Sequence, residues 1–339
     1  MKLKGVAAIT ASLIIILIGI ALGSVNISPP EIASIIGSKL FGLRLNESIK
    51  PTSVSIIWTA RLPRALLAFV TGAALSVSGA VMQSVLRNPL ASSYTIGVSS
   101  GASLGACVVL IYGVTVPFLG ALTLPAAGFA FGFGTILLAI AFASRLDGRM
   151  ENNTIILVGM VFSLFVNAVT TLMAAMSKEH MQRLVFWQMG SFSMKGWQPV
   201  AVLTPLIAAG AAFVTHFNRE LDMMTFGEEQ AQSMGVNLKR VKWVLLVSAA
   251  AMTGSAIAFA GVIGFVDLVA PHIVRKLFGS NHRIVIPMAA LFGGSFMVVC
   301  DLAARTIVSP GELPVGAVTA LIGAPFFAYI YFSKRNKKI

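Results

Sequence analysis

The sequence predicts an all-α polytopic membrane protein with about ten transmembrane helices, and three observations lead to this fold class. Of the 339 residues, 57% are hydrophobic and only 11% are charged. The mean hydropathy of +0.87 lies outside the range of water-soluble domains. The apolar runs are continuous for roughly 20 residues, the length that one helix needs to cross a bilayer, whereas barrel strands alternate in segments of about ten.

Ten apolar runs, each bounded by charge, Gly or Pro, are the predicted spans. The first run is interpreted as a retained helix, because it is long enough to span and lacks a small-residue cleavage site. The connections are short, so residues 1–339 are predicted to form a single transmembrane domain without a separate soluble domain. The predicted spans cover residues 6–25, 62–84, 94–113, 117–144, 153–176, 197–217, 241–262, 264–278, 284–303 and 314–333.

The basic residues predict the orientation of the chain. With the N-terminus in the cytoplasm, the inner loops and tails hold 16 of the 25 Lys and Arg residues and the outer loops hold 9. The positive-inside rule therefore favours two cytoplasmic termini, with the tail cations Lys334, Arg335, Lys337 and Lys338 inside. The net charge of +13 follows from this topology. A nucleic-acid partner is not expected.

An internal repeat is visible at an offset of 182 residues, where "TGAALSVSGAV" from Thr71 lies over "TGSAIAFAGVI" from Thr253. At the same offset Pro89 falls on Pro271 and Gly97 falls on Gly279. Five spans separate the two copies, so the copies must cross the bilayer in opposite directions. The sequence thus predicts an inverted repeat of spans 2–5 and 7–10, over residues 61–176 and 241–333. Inverted repeats are typical of transporters that work by alternating access.

Four separated blocks carry a resemblance to a known family. They are "RLPRALLAFVTGAALSVSGAVMQSVLRNPLASSYTIGVSSGASLGA" from Arg61, "FWQMGSFSMKGW" from Phe186, "GFVDLVAPHIVRKLFGSNHRIVIP" from Gly264 and "CDLAARTIVSPGELPVGAVTALIGAPFF" from Cys300. These blocks resemble the FecCD-type permeases of iron-siderophore, haem and cobalamin ABC importers. They occur in the right order and cover most of the chain from residue 61 onward.

The resemblance implies a ten-helix permease in the bacterial cytoplasmic membrane that imports an iron-siderophore or a related chelate. Its implied partners are a second permease, identical or different, two cytoplasmic ATPases and an extracytoplasmic binding protein. No Gly-rich run is followed by Lys-Ser or Lys-Thr, so ATP and Mg²⁺ are expected to bind the ATPases. The chain itself is expected to carry no cofactor and to be no enzyme.

Three outer arginines are candidates for docking the binding protein. Arg61 and Arg64 open the second span from the outside, where the positive-inside rule expects fewer cations. The alternative is that they anchor the helix at the lipid headgroups. In the resembling family, outer arginines that match Arg61, Arg64 and Arg305 receive carboxylates of the binding protein.

The inner loop of residues 218–240 is the candidate contact with the ATPases. It contains "GEEQAQSMG", which corresponds in the resembling family to the coupling helix that sits in a groove of the ATPase. The alternative is a solvated linker, as most charged loops are. We expect Glu228, Glu229, Ala231 and Gly235 to make the contact.

Two proline breaks are candidates for a gate. Asn88 and Pro89 end the second span, because a residue before proline is pushed out of helical geometry. The corresponding break is predicted at Pro271 and His272. The alternative for both is an ordinary turn. His272 is assigned a structural role, since no second His or Cys stands at metal-ligand spacing, and no metal site is predicted.

Asp267 and Asp301 are the acids within the predicted spans, where a carboxylate needs a partner or a water-filled path. Asp301 lies four residues before Arg305, a spacing that permits a local ion pair. Asp267 stands where the resembling family usually has Gly, which puts close helix packing at this position in doubt. Asp267 and the repeat also support an alternative function, a proton-coupled secondary transporter.

Overall fold

The structure, a computed structural model, describes residues 2–335 apart from Ser24, Asn26 and Glu47. All regular secondary structure in these residues is helical, which confirms the predicted fold class. The predicted tail cations Lys337 and Lys338 lie outside the described residues.

The helices follow the predicted apolar runs closely, and α3 continues through a π-helical segment, Ile56–Arg61, into α4. In chain order the α-helices are α1 Lys2–Ala21, α2 Pro29–Phe41, α3 Pro51–Ser55, α4 Leu62–Val85, α5 Val98–Tyr112, α6 Thr123–Leu146, α7 Asn152–Met176, α8 Lys178–Gln188, α9 Trp197–His216, α10 Asn218–Phe226, α11 Glu228–Ser233, α12 Leu238–Ala260, α13 Val266–Phe278, α14 His282–Thr306 and α15 Val315–Arg335.

Ten of these helices correspond to the ten predicted spans: α1, α4, α5, α6, α7, α9, α12, α13, α14 and α15. Within the described residues, seven helical segments are long and apolar enough to cross a membrane by themselves. The helices α5 and α13 have 15 and 13 residues, or about 20 Å of length, too little for a 30 Å hydrocarbon core. Non-helical segments, 86–97 before α5 and 261–265 before α13, adjoin these two short helices.

The centre of the molecule is α4, which packs against α9, α12, α13 and α14. Its small residues allow the closest of these contacts. A Cβ atom added to Gly72 would lie 2.2 Å from the carbonyl oxygen of Gly293 on α14. Such close backbone approach is how membrane helices gain van der Waals contact without a hydrophobic driving force between them.

The pairing of helices agrees with the predicted inverted repeat. Where α4 packs on α13 and α14, its counterpart α12 packs on α5 and α6. Likewise α5 packs on α6 and α7, while α13 packs on α14 and α15. Each half thus supplies its first helix to the other half, and the two halves form one interlocked core.

The predicted break at Pro271 is wrong. In the structure, α12 ends at Ala260 and is followed by Gly261, which has a φ of +81°, whereas Pro271 lies inside α13. A Cβ atom at Gly261 would lie 2.3 Å from the carbonyl oxygen of Trp187, so this glycine leaves room for the C-terminal end of α8. The offset of 182 residues therefore aligns α4 with α12 but fails beyond them, since Gly97 precedes α5 whereas Gly279 follows α13.

Candidate functional site

Polar side chains buried in the described part of the chain gather at three levels. The first lies at the predicted outer ends of α1, α4 and α14. The second lies where α13 begins, between the two halves of the repeat. The third lies at the predicted cytoplasmic ends of α4, α7, α12 and α14, beside the short helices α10 and α11.

At the outer level, Arg64 is shared between two carboxylates. Its Nε and Nη2 donate to Asp301 at 2.8–3.0 Å, and its Nη1 and Nη2 donate to Glu312 at 2.7 and 3.1 Å. The Asp301 side chain is only 3% exposed, whereas that of Glu312 is 37% exposed. Arg64 is therefore held on its inner side by a buried acid and on its outer side by a partly exposed acid.

Arg61 and Arg305 hold the end of α1. The Arg61 guanidinium donates to the carbonyl oxygens of Ala21 at 2.9 Å and Val25 at 2.5 Å. Arg305 donates to the carbonyl oxygen of Gly19. These bonds satisfy backbone acceptors that the end of a helix leaves open. Both side chains are thus occupied within the chain.

The three predicted arginines therefore form one cluster with Asp301 and Glu312, which we call the outer arginine cluster. The predicted ion pair between Arg305 and Asp301 is present at 3.6 Å, but Arg64 is the closer partner of Asp301. Docking of a binding protein stays a prediction. Of the three arginines, Arg64 is the one whose outward partner, Glu312, is itself exposed, so a carboxylate of a partner protein would reach Arg64 by displacing Glu312.

At the middle level, Asp267 is the second residue of α13 and is 3% exposed. Its carboxylate accepts a hydrogen bond from the hydroxyl of Ser92, and the N-terminus of a helix favours negative charge. This contact joins segment 86–97 to the start of α13. The buried acid therefore has the partner that its position requires.

Close packing at Asp267 is retained, because the small residue lies on the facing helix. A Cβ atom at Gly79 of α4 would lie 2.0 Å from the carbonyl oxygen of Asp267. Pro271 explains why this oxygen is available, since it lacks the N–H that would bond a carbonyl four residues earlier. The side-chain amide of Gln83 donates to that oxygen instead, at 3.1 Å. Asp267 therefore does not prevent close packing between α4 and α13.

Segment 86–97 connects α4 to α5 through the predicted break at Asn88 and Pro89. The Asn88 side chain accepts from the backbone N–H of Leu90 at 2.9 Å, as in an Asx turn. Further along, the hydroxyl of Tyr94 donates to the carbonyl oxygen of Ile263 in the other half of the repeat. Asn88 and Pro89 therefore form a turn, and their role in gating stays a prediction.

At the cytoplasmic level, the predicted contact loop folds into two short helices, α10 and α11. Glu229 and Gly235 are exposed, whereas the Ala231 side chain is buried within the chain. Glu228 pairs with the fully buried Lys242 at 2.9 Å. Two of the four predicted contact residues thus face outward, and Ala231 and the Glu228 carboxylate face inward.

Two exposed apolar residues that were not among the predicted contact residues lie beside this surface. Phe226 is 72% exposed and Met234 is 51% exposed, on either side of α11. The signal for them was present, since both are large apolar residues in an inner loop that was predicted to contact the ATPases. A cleft of about 1090 Å³ separates α11 from the loop between α6 and α7, and its lining includes Arg87, Arg149, Asn153 and Gln232.

A second cytoplasmic cluster, also missed, joins α10 to the ends of α4, α13 and α14. His282 lies 2.6 Å from Asp222 through Nδ1 and 2.6 Å from Ser84 through Nε2. Arg275 donates to the same Ser84 hydroxyl at 2.9 Å. The partners are 60 to 198 residues apart in the chain, so no local sequence pattern could have identified them.

The loop between α6 and α7 is shaped by its first residue, Asp147. The carboxylate accepts hydrogen bonds from the backbone N–H groups of Glu151 at 2.6 Å and Arg149 at 2.9 Å. These two bonds lower the pKa of the Asp147 carboxyl below its ordinary value, because they stabilise the charged form. The loop is thus held in a fixed turn at neutral pH.

Comparison with protein-family models gives a match over residues 11–333 to the FecCD transport family. Among characterised and uncharacterised relatives, the chain is 41% identical to an uncharacterized ABC transporter permease protein of Bacillus subtilis, YvrB. That match covers 93% of this chain and 89% of the relative. The chain is 34% identical to the hemin transport system permease protein HmuU of Yersinia pestis, over 96% of each chain.

A solved structure shares the fold over nearly the whole chain. It is assigned to the metal-chelate type of ABC transporter, in an inward-facing conformation. The TM-score is 0.85 at 28% sequence identity, and the match covers 98% of this chain and 100% of the other.

Proposed function

Because this chain belongs to the FecCD transport family, we propose that it moves an iron-siderophore, or a related metal chelate such as haem or cobalamin, into the cytoplasm. The chain is the multi-pass permease subunit of a prokaryotic ABC importer and is not itself an enzyme. Support for a chelate comes from the relative named for hemin transport and from the neighbour assigned to the metal-chelate type.

The observation that carries the proposal is the surface of α10 and α11. Phe226, Glu229 and Met234 project from it, and exposed large apolar side chains beside charge are typical of a protein interface. The opposite side of the same segment is bonded to the spans through Glu228 and Asp222. A surface that is exposed and firmly attached suits a partner that must push on the membrane helices, which we infer to be an ABC ATPase.

The outer arginine cluster supports the second proposed partner, an extracytoplasmic binding protein. It contains three guanidinium groups and two carboxylates, so it keeps an excess of positive charge. Glu312 and the outward side of Arg64 are its accessible part. Charge at the rim of an interface mainly steers encounter and fixes register, which suits a partner that must dock, deliver and leave.

In the proposed cycle, two permease subunits, identical or different, enclose a path that opens alternately to each side. Two ATPases that bind ATP and Mg²⁺ close against the α10 and α11 surfaces, and the binding protein loads the path. ATP shifts the balance between outward and inward states only if it binds them with different affinity. The inverted repeat provides two interlocked halves that can exchange such states.

The test is uptake by the purified importer in liposomes, with labelled ferric hydroxamate siderophore, haem and cobalamin offered in parallel. We expect ATP-dependent uptake of an iron chelate that requires the ATPases and the binding protein. Preference for cobalamin would change the proposed substrate and would keep it within the class of metal chelates. Uptake by this chain alone, driven by a pH gradient, would instead support a secondary transporter and overturn the proposal.

A further inference from the structure

A fully buried lysine lies beneath the α11 surface, and the proposed contact with the ATPase does not use it. Lys242 stands in the second turn of α12 and is 0% exposed. Its ammonium group donates to the carbonyl oxygen of Met150 at 2.7 Å, the side-chain oxygen of Asn152 at 2.9 Å and the carboxylate of Glu228 at 2.9 Å. An ammonium group has three donors, so every one of them is used.

The three acceptors belong to three different elements. Met150 lies in the loop between α6 and α7, Asn152 is the first residue of α7, and Glu228 is the first residue of α11. The Met150 side chain is also fully buried, and its φ of +53° is held within the turn that Asp147 shapes. One ammonium group thus joins the N-terminal ends of α7, α11 and α12.

The pairing also defines the roles of the two neighbouring glutamates. The Glu228 carboxylate points into the chain toward Lys242, whereas Glu229 is exposed. A buried ammonium group without its carboxylate would be strongly unfavourable, so α11 cannot leave this position without breaking the pair. The first turn of α11 is therefore fixed to the spans at its inner side.

We propose that Lys242 is the positioning residue that makes α11 move as one body with the cytoplasmic ends of α7 and α12. This inference rests on the proposed function, because it assumes that an ATPase displaces α11. The consequence follows from packing. The helix α12 packs on α4 and α6, and α7 packs on α5 and α6, so a push on α11 reaches both halves of the repeat at once.

The first experiment examines the chain alone, in lipid nanodiscs, by hydrogen–deuterium exchange. Lys242→Met keeps the length of the side chain and removes its three donors. We expect exchange to rise about tenfold in peptides from both 147–153 and 226–235, because local opening of both segments becomes easier. The matched control is Lys239→Met, which removes an exposed charge from the same helix and should leave both peptides unchanged. Unchanged exchange in Lys242→Met would overturn the proposal.

A milder variant keeps the proposal testable if Lys242→Met does not fold. Asn152→Ala removes one neutral acceptor and leaves the Met150 carbonyl oxygen and the Glu228 carboxylate in place. We expect faster exchange in peptides from 147–153 alone, with 226–235 unchanged. Equal effects on both segments would contradict the separate bonds described above.

The second experiment measures coupling in liposomes that contain the assembled importer. For Lys242→Met we expect several times more ATP hydrolysed per chelate transported, because the ATPases still turn over while their movement reaches the spans incompletely. A merely destabilised permease would lose transport and stimulated hydrolysis together, with an unchanged ratio, and that result would overturn the positioning role. If the wild-type chain shows no ATP-dependent uptake, the proposed function fails. The exchange experiment on the chain alone still decides whether Lys242 holds α11 to the N-terminal end of α7.

Discussion

Single residues in the outer arginine cluster differ in how much of their charge is already satisfied. Arg64 bonds a buried carboxylate on one side and an exposed carboxylate on the other, while Arg61 and Arg305 are bound to backbone carbonyl oxygens of the first helix. Removing a partner of a buried charge costs far more than removing an exposed one. The two acids that flank Arg64 should therefore have very different effects on stability.

Asp301→Asn is expected to lower the free energy of unfolding by about 3–5 kcal/mol, because Arg64 and Arg305 lose their buried counter-charge. Glu312→Gln, the matched control at the exposed side of Arg64, should cost less than about 1 kcal/mol. Both values are measured by denaturant unfolding of the purified chain in detergent. Equal effects of the two substitutions would show that the buried pair is not the stabilising one.

The sequence identified residues whose chemistry is visible locally, and it missed contacts between residues that are distant in the chain. The pair Arg61 and Arg64 stands out because cations open a span on the unexpected side. The bonds of Lys242 to Met150 and of Arg64 to Asp301 connect positions 92 and 237 residues apart. Such contacts depend on how the spans pack, which no single-chain pattern encodes.

At the scale of elements, span positions were predictable because each span must be apolar over a length fixed by the bilayer. The break before α13 falls where the predicted spans 241–262 and 264–278 meet, and Gly261 approaches Trp187 closely there. The second break predicted at Pro271 was wrong, because the proline lies inside α13 and exposes a carbonyl oxygen to α4. Local propensity suggested a helix end at the proline, whereas contact with α4 accommodates it within the helix.

Gly79→Ala tests the contact between α4 and α13. The added methyl group would lie 2.0 Å from the carbonyl oxygen of Asp267, so the helices must separate, at a cost of about 1–3 kcal/mol. Gly134→Ala on α6, which has no neighbouring atom within 4 Å, is the control and should be neutral. The comparison uses melting temperatures in the same detergent. A neutral Gly79→Ala would mean that α4 and α13 are not in this close contact.

Gly235→Ala tests the turn that follows α11. Gly235 has a φ of +91°, a conformation that costs a residue with a Cβ atom about 1–2 kcal/mol. We expect reduced chelate uptake at an unchanged amount of permease in the membrane, measured in vesicles with the ATPases present. Gly148→Ala in the neighbouring loop has open space around it and no positive φ, so it should retain full uptake. Full uptake in Gly235→Ala would argue against a fixed turn at this site.

At the scale of the whole molecule, the fold combines two oppositely directed halves with α1 and α9 outside the repeat. Composition predicted the number of crossings, and the bias of Lys and Arg predicted their direction. The repeat was visible only in its first helices, because the connecting segments 86–97 and 261–265 differ in length. The two halves share their pattern of helix pairing, which a sequence comparison at one offset does not detect.

Labelling with a membrane-impermeant maleimide tests the predicted orientation. Both native cysteines are fully buried, so the background should be low. Phe118→Cys, at a side chain that is 87% exposed in the loop between α5 and α6, which the predicted topology places outside, should react in intact cells. Gly148→Cys, in a predicted inner loop, should react only after the membrane is opened. The reverse pattern would invert the topology and exchange the proposed docking sides.

The attachment of α1 has a practical consequence for protein engineering. Its sequence is the least diagnostic part of the chain, which makes it an obvious candidate for truncation. Yet the carbonyl oxygens of Gly19, Ala21 and Val25 accept hydrogen bonds from the guanidinium groups of Arg61 and Arg305. A shortened chain would leave the buried Arg61 guanidinium without these acceptors and would remove one acceptor of Arg305, which keeps its ion pair with Asp301. Purification tags should therefore extend the amino terminus rather than replace it.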